Sequence, residues 1–216
     1  MKKVLILDIC DTLYYSNTTF DFFGYLNEEK IKIILKLKNY KIVKIINLIC
    51  LKILQRDLVK EICVYYILKG KSLKDIDKEV SKFYRKVLKL KEKKIILKTV
   101  EKYQKLNFEV IIVSGTLEPI AKKIAKELGI ERYFGSKLEV KKDKYTGRIV
   151  IDMYIHKEQV IRNILKENKK LYLLTDNITD YNLIKYMERS FIVLNKKNMS
   201  FWKKNKTKKI KLIEVN

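Results

Sequence analysis

The sequence has few cysteines, prolines, glycines and acidic residues, and it contains no long apolar run. Its three cysteines, Cys10, Cys50 and Cys63, are an odd number without CxxC spacing, so neither a disulfide framework nor a zinc site is predicted. A reducing cytoplasm is the expected location. The apolar run Val4–Leu7 before Asp8 is too short for a secretory signal, so export is not expected.

The absence of long apolar runs also argues against a membrane span. The longest charge-free stretches between Tyr15 and Leu90, Ile45–Leu51 and Ile62–Leu68, are about two helical turns each, whereas a spanning helix needs about 20 apolar residues. Only 1 Pro and 6 Gly occur, and neither a low-complexity linker nor an internal repeat is visible. A chain of 216 residues with 47% hydrophobic content favours one core domain with a compact insertion.

Acidic residues are outnumbered, with 25 Asp+Glu against 49 Lys+Arg and a formal charge of +24. Such a charge is typical of proteins that meet nucleic acid, an anionic membrane or an anionic substrate. The lysines are spread along the chain, and no zinc-finger, recognition-helix or RNA-binding signature accompanies them, so nucleic acid is not an expected partner. Peripheral membrane contact is one hypothesis, because Lys36, Lys41, Lys44 and Lys52 flank an apolar helical face. The alternative is that this face packs on neighbouring helices.

Short apolar strands alternate with helical patterns, which predicts an α/β fold with a doubly wound parallel sheet. The predicted strands are Val4–Leu7, Phe108–Val113, Lys170–Leu174 and Phe191–Leu194. The predicted helices around them are Ile95–Lys105, Pro119–Leu128 and Lys157–Glu167. Polar residues follow the first three strands, at Asp8, in a turn at residues 114–116, and at residues 175–177. These ends are expected to converge at the carboxyl edge of the sheet.

Residues 15–90 show almost continuous helical periodicity and predict an inserted helical cap. The core domain is then residues 1–14 and 91–216. Within it, residues 135–154 predict a β-hairpin that turns at residues 141–144, and Trp202 in the basic tail is expected to pack on the core.

Three short motifs carry the chemistry: residues 8–13 (DICDTL), Ser114-Gly115, and residues 175–180 (TDNITD). In order and spacing they resemble the first, second and fourth motifs of the haloacid dehalogenase superfamily. The helical insertion, the hairpin and the Trp202 tail further resemble its phosphoserine-phosphatase-like branch. The resemblance implies a Rossmannoid core with a cap and an Mg²⁺-dependent phosphatase that cleaves a phosphomonoester.

The resemblance makes Asp8 the nucleophile. A phosphate ester is anionic, so an attacking carboxylate needs a cation, and Mg²⁺ with hard oxygen ligands suits this task. The predicted ligands are Asp8, Asp176 and, through its backbone carbonyl, Cys10. Residues expected to support them are Thr12, Asn177 and Asp180. Asp180 would hold the metal's water shell or a lysine, while helix capping is the alternative for both Asp176 and Asp180.

Ser114 and Gly115 are predicted to bind the phosphoryl group. The third motif of the family is a lysine that neutralises charge, and Lys157, at the start of a predicted helix, is the candidate. A different alignment places Gln159 there. His156 is predicted to be a packing or surface residue.

Cys10 stands where most hydrolytic members have the aspartate that protonates the leaving group, a contribution worth about 10²–10⁴-fold. Asp11 is adjacent but offset by one residue. The protein would then use a substrate whose leaving group needs little protonation, rely on Tyr14 or Tyr15, or be slow. A small phosphorylated substrate is expected, and the basic, apolar cap favours an amphiphilic one. The competing hypotheses are a degenerate protein that binds a phosphorylated ligand without turnover, and a peripheral membrane or nucleic-acid-binding protein.

Overall fold

The computed structural model describes residues 2–26, 29–37, 39–167 and 169–215 of the chain. Met1 and Asn216, both inside the predicted core boundaries, lie outside the described residues. Within these ranges seven strands form one sheet: β1 Lys3–Leu7, β2 Glu109–Leu117, β3 Arg132–Lys141, β4 Lys144–Ile151, β5 Lys170–Thr175, β6 Arg189–Leu194 and β7 Ile210–Glu214. The strand order is β4-β3-β2-β1-β5-β6-β7, and every pair is parallel except β3 with β4.

Helices connect these strands. The α-helices are α1 Thr18–Tyr25, α2 Glu29–Leu37, α3 Lys41–Ile53, α4 Leu58–Leu68, α5 Leu73–Phe83, α6 Lys94–Lys105, α7 Glu118–Glu127, α8 Met153–Leu165 and α9 Met199–Lys204. A π-helical turn at Tyr84–Leu88 and a 3-10 turn at Lys89–Lys91 follow α5, and a 3-10 helix at Ile178–Tyr186 follows β5. Helices α1 to α6 occupy the chain between β1 and β2, and α1 to α5 fall within the predicted cap. The boundaries of core and cap, at 14/15 and 90/91, stay a prediction.

Strand β1 lies in the middle of the sheet and is covered on both faces. Val4 and Ile6 belong to one apolar cluster, and Leu5 and Leu7 belong to another. Successive side chains of a strand point to opposite faces, which explains why β1 is apolar at four consecutive positions. Because β2 and β5 flank β1 and run parallel to it, the carboxyl ends of the three strands meet at one edge of the sheet.

The predicted α/β fold with a mostly parallel sheet is confirmed, and so is the hairpin, formed by β3 and β4. Trp202 is fully buried, as expected. The predicted turn at residues 114–116 is wrong, because β2 continues to Leu117, which pairs with Ser136 of β3 across a local irregularity. The predicted start of a helix at Lys157 is also wrong. The side chain of Asp152 accepts from the backbone N–H of Tyr154 and caps α8 four residues earlier.

No helix within the described ranges has the length and apolar character needed to cross a bilayer.

Candidate active site

A buried group of charged side chains lies at the carboxyl end of β1. Asp8 follows this strand directly, and its backbone N–H donates to the carbonyl of Leu174 in β5 over 3.0 Å. Nζ of Lys157, from α8, lies 3.1 Å from Oδ1 of Asp8 and 2.9 Å from Oδ2 of Asp180. The hydroxyl of Thr175 donates to the same Asp180 oxygen over 2.6 Å. The fold thus holds one lysine between two buried carboxylates.

The charge of Lys157 follows from these neighbours. Burial alone lowers the pKa of Lys157, but the negative charges of Asp180 and Asp8 outweigh burial, so the net pKa lies above its usual value. The lysine stays positive beside Asp8 at neutral pH. Gln159, the other candidate for this position, is exposed on α8.

Asp176 lies after β5, close to the same strand end. Its Oδ1 accepts from the hydroxyl of Thr12 over 3.0 Å, and its Oδ2 accepts from the amide of Asn195 over 3.1 Å. The Thr12 hydroxyl is also 3.5 Å from Oδ2 of Asp8. Burial and the nearby charge of Asp8 raise the pKa of Asp176 to about 7. Two carboxylates therefore crowd around Thr12 with too little positive charge between them.

This crowding fits the predicted Mg²⁺ site. A hard cation bound by Asp8 and Asp176 would relieve the repulsion that raises the pKa of Asp176. Among the described residues, no group of three or more His, Cys, Asp or Glu side chains is placed to hold a metal ion. A site here needs a non-side-chain ligand, such as the backbone carbonyl of Cys10, and water.

The C-terminal part of the chain supports the loop that carries Asp176. The side-chain amide of Asn198 donates to the Asp176 carbonyl over 2.7 Å, and the indole N–H of Trp202 donates to it over 3.3 Å. Sequence patterns assigned Trp202 to the core but gave no sign of this hydrogen bond.

A cavity of about 260 Å³ opens beside these residues. Its lining residues are Asp8, Cys10, Asn17, Thr19, Phe20, Leu51, Asp57, Lys60, Ser114, Gly115, Tyr154, Lys157 and Asn177. Of the predicted site residues, this cavity brings together the nucleophile candidate, the lysine and the two phosphate-binding candidates. Cys10 and Asn177 also line it, whereas Thr12, Asp176 and Asp180 do not.

The lysine of helix α4 is a functional candidate that sequence analysis missed. Nζ of Lys60 donates to the Gly115 carbonyl, Ser136 Oγ and Asp152 Oδ1 over 2.8, 2.7 and 2.8 Å. Lys60 is buried and lines the cavity. It therefore ties α4 to the end of β2 and to the residue that caps α8. Nothing in its sequence context separates it from the many other lysines.

The thiol of Cys10 is held by two hydroxyl groups. Its Sγ lies 3.1 Å from Oγ1 of Thr18 and 3.1 Å from Oγ1 of Thr116. Burial, together with the nearby charge of Asp8, raises the pKa of the Cys10 thiol above its usual value. The side chain therefore stays a neutral thiol at physiological pH and is a weaker acid than an ordinary cysteine.

The two tyrosines considered as substitute acids do not line this cavity. Tyr14 is fully buried, and burial and the nearby Tyr84 raise its pKa well above its usual value. Tyr15 is half-exposed and its ring lies 4.8 Å from Nζ of Lys93. Neither is placed to protonate a leaving group here.

Two further predicted residues have local roles. Asn177 caps the 3-10 helix after β5, because its side chain accepts from the backbone N–H of Thr179, so the capping alternative for Asp176 and Asp180 is wrong. His156 lines a separate groove beside β4, with Arg56 and Arg148.

The sheet order and the position of the site define a class of proteins, the doubly wound α/β proteins that bind at the carboxyl edge of a parallel sheet. Within this class, a model of the haloacid dehalogenase-like hydrolases matches residues 5–185. The chain belongs to this family, and the resemblance seen in its motifs is confirmed.

Solved structures share the fold over nearly the whole chain. A Bordetella pertussis Tohama I protein of unknown function has a TM-score of 0.75 at 13% identity, with 100% of both chains covered. A phosphoserine phosphohydrolase-like protein from Francisella tularensis has a TM-score of 0.64 at 18% identity, with 98% of this chain and 95% of that chain covered. A phospho-aspartyl intermediate analogue of phosphoserine phosphatase has a TM-score of 0.61 at 18% identity, with coverages of 100% and 94%. No curated protein matches the sequence.

Proposed function

We propose that this protein is an Mg²⁺-dependent phosphatase that hydrolyses a small phosphomonoester through an aspartyl-phosphate on Asp8. The observation that carries the proposal is the contact of Asp8 with Lys157, which Asp180 fixes from the other side, at the wall of a cavity. A carboxylate and a fixed positive charge at one strand end are what an attack on an anionic phosphoryl group requires.

In the first step, an Asp8 oxygen forms a bond to phosphorus as the bond from phosphorus to the leaving oxygen breaks. Lys157 offsets the added negative charge, and Ser114 with the Gly115 amide binds the phosphoryl oxygens. In the second step, water attacks the phosphorus and releases phosphate and Asp8. Bound Mg²⁺, held by Asp8, Asp176 and the Cys10 carbonyl, would screen the charge between carboxylate and phosphoryl group.

The Cys10 thiol sets the expected substrate preference. Because its pKa is raised, it is a poor proton donor to the leaving oxygen. We therefore propose that the protein favours esters whose leaving group is stable without a proton, such as aryl phosphates, over alkyl phosphates. The predicted amphiphilic character of the substrate is part of the proposal, since Leu51 of the apolar helix α3 lines the cavity.

The test is phosphate release from matched aryl and alkyl phosphates with and without Mg²⁺. We expect turnover that requires Mg²⁺, disappears in Asp8→Asn and persists in Asp77→Asn, a matched change at an exposed carboxylate of α5. Cys10→Asp is expected to raise alkyl phosphate turnover about 100-fold and to reduce the aryl preference. Turnover that survives in Asp8→Asn would refute the proposal.

A second candidate is a protein that binds a phosphoryl ligand without turnover, and the neutral Cys10 thiol is the observation that favours it. In that case the wild type releases no phosphate from either the aryl or the alkyl phosphates. Tungstate, a phosphate mimic, still binds in calorimetry and is lost in Lys157→Met.

A further inference from the structure

Helix α3 exposes an apolar face. Ile42, Ile45, Ile46, Ile49 and Ile53, here called the isoleucine face, are between 49% and 73% exposed. At the 100° per residue of an α-helix, these five side chains fall within an arc of about 100°. No residue of α3 is buried. The expectation that this helix packs its apolar face on its neighbours is wrong, because the isoleucines point away from the molecule.

The opposite side of the helix holds α3 in place. Val43, Asn47, Cys50 and Leu51 are half-buried on that side. The Asn47 side chain donates to Asp57 over 3.1 Å and accepts from the backbone N–H of Val59 over 3.2 Å. These contacts join α3 to the start of α4 and fix which side faces outward.

The segment that contains this face carries charge of one sign only. Residues 30–56 include no Asp or Glu and eight cations. The cations are Lys30, Lys32, Lys36, Lys38, Lys41, Lys44, Lys52 and Arg56. Lys41 and Lys52 are exposed and adjoin the edge of the isoleucine face on the helical wheel. An apolar helical face beside a row of lysines matches the surface of an anionic bilayer, where the apolar side chains enter the acyl boundary and the lysines meet the headgroups.

We propose that the isoleucine face of α3 docks on the surface of an anionic lipid bilayer. An acidic protein partner would pair with the lysines but would leave five isoleucines in need of a matching apolar groove, whereas a bilayer satisfies both. The helix lies on the bilayer and does not cross it, because its 13 residues are about 20 Å long and carry three lysines.

Docking also orients the cavity. Leu51, on the inner side of α3, lines the same cavity as Asp8. A molecule held by the isoleucine face would carry the cavity on the far side of α3, about one helix diameter (~10 Å) from the lipid, so a substrate would reach Asp8 around the helix and not directly from the bilayer. This consequence for the substrate depends on the proposed phosphatase activity, whereas docking itself does not.

The test is flotation of the purified protein with phosphatidylcholine vesicles, with and without phosphatidylglycerol, over a salt titration. We expect binding to the anionic vesicles that weakens as salt rises. Ile45→Ser/Ile49→Ser should weaken it about tenfold or more, since both side chains are already solvent-exposed in the free protein and their loss removes only lipid contact. Lys41→Glu/Lys44→Glu/Lys52→Glu should weaken it about 100-fold or more.

The matched control for charge is Lys94→Glu/Lys98→Glu/Lys102→Glu on α6, whose three lysines are also exposed. It changes the net charge equally and should retain most of the binding. The matched control for apolar loss is Ile95→Ser, at a residue 50% exposed on α6. Circular dichroism verifies folding of each variant.

Equal losses in the α3 and α6 charge variants would overturn the proposal in favour of general charge attraction. Wild-type vesicle binding by Ile45→Ser/Ile49→Ser would overturn it as well. So would a concentration-dependent dimer in sedimentation velocity that the isoleucine variant abolishes, since the face would then join two copies. Asp8→Asn should bind vesicles like the wild type. Vesicle binding therefore tests the docking proposal, and phosphate release tests the phosphatase proposal independently.

Discussion

At the scale of single residues, Lys60 brings a charge into the interior from a helix that precedes most of the sheet. Its ammonium group has three acceptors, from β2, β3 and the residue that caps α8. Because α8 carries Lys157, Lys60 helps to fix the position of the charge beside Asp8. The ion pair with Asp152 has both side chains at 10% exposure or less.

Replacing Lys60 with Met should lower the free energy of unfolding by about 3 kcal/mol, because Asp152 would remain as a buried charge without its partner. Urea unfolding followed by circular dichroism measures this loss. The double variant Lys60→Met/Asp152→Asn should be more stable than the sum of the two single variants predicts. Strictly additive losses would show that the pair is not coupled.

At the scale of secondary-structure elements, α9 supports a loop that follows β5. Asn198, next to the start of α9, holds the carbonyl of Asp176. We expect Asn198→Ala to lower the apparent affinity for Mg²⁺ about tenfold, because residues behind metal ligands fix their orientation. The measurement is the Mg²⁺ dependence of phosphate release, or of the urea midpoint.

The control is Asn205→Ala, on the other end of the same helix, where the side-chain amide donates to the Phe201 carbonyl and does not touch Asp176. Equal loss of Mg²⁺ affinity in both variants would assign the effect to α9 as a whole and not to the contact with Asp176.

Elements with strong local patterns were predictable from the sequence. β1, β5 and β6 are apolar runs. Helices α6 and α7 show helical periodicity in the sequence, and each of their ends lies within one residue of the predicted end. Errors arose where a distant contact sets the boundary. β2 continues past Val113 because Leu117 pairs with Ser136. Strand β7 was not predicted; it lies at the edge of the sheet and pairs with β6, from which the α9 region separates it in the sequence.

The residues of the candidate site were also predictable only in part. Asp8 and Lys157 were predictable because motif spacing places them at strand and helix positions that meet. Lys60 and Lys93 were not, because only tertiary structure selects them from many lysines. Lys93 is buried with its ammonium group donating to the carbonyl of Asp11. Burial lowers its pKa, against the charges of Asp176 and Asp11.

At the scale of the whole molecule, the buried carboxylates make stability depend on pH. Asp176 has a pKa of about 7 in the folded protein, against 3.8 as its ordinary value. Between these two values the folded state holds a proton that the unfolded state has released. Stability without metal should therefore fall as pH rises from 5 to 8, with about 2–3 kcal/mol from this group.

Urea unfolding at pH 5 and pH 8 in the presence of a chelator measures how the free energy of unfolding changes with pH. Asp176→Asn should flatten it, and added Mg²⁺ should raise stability more at pH 8 than at pH 5, because protons compete with the cation for this carboxylate. A slope that Asp176→Asn leaves unchanged would assign the pH dependence to other groups.

The central place of β1 also has a consequence for how the sheet forms while the protein is being synthesised. Leu5 pairs with Val110 on one side and with Tyr172 on the other. A ribosome that synthesises this chain releases β1 (Lys3–Leu7) before either of its neighbours, β2 (Glu109–Leu117) and β5 (Lys170–Thr175), has been made. The nascent protein carries Asp8 without Lys157 until α8 (Met153–Leu165) has been made, so the pair forms only after that point. Pairing over such sequence distances is slow and leaves strand edges open to association. Until β2 has been made, β1 lacks both of the strands that flank it in the folded sheet, and its unpaired edges are open to association.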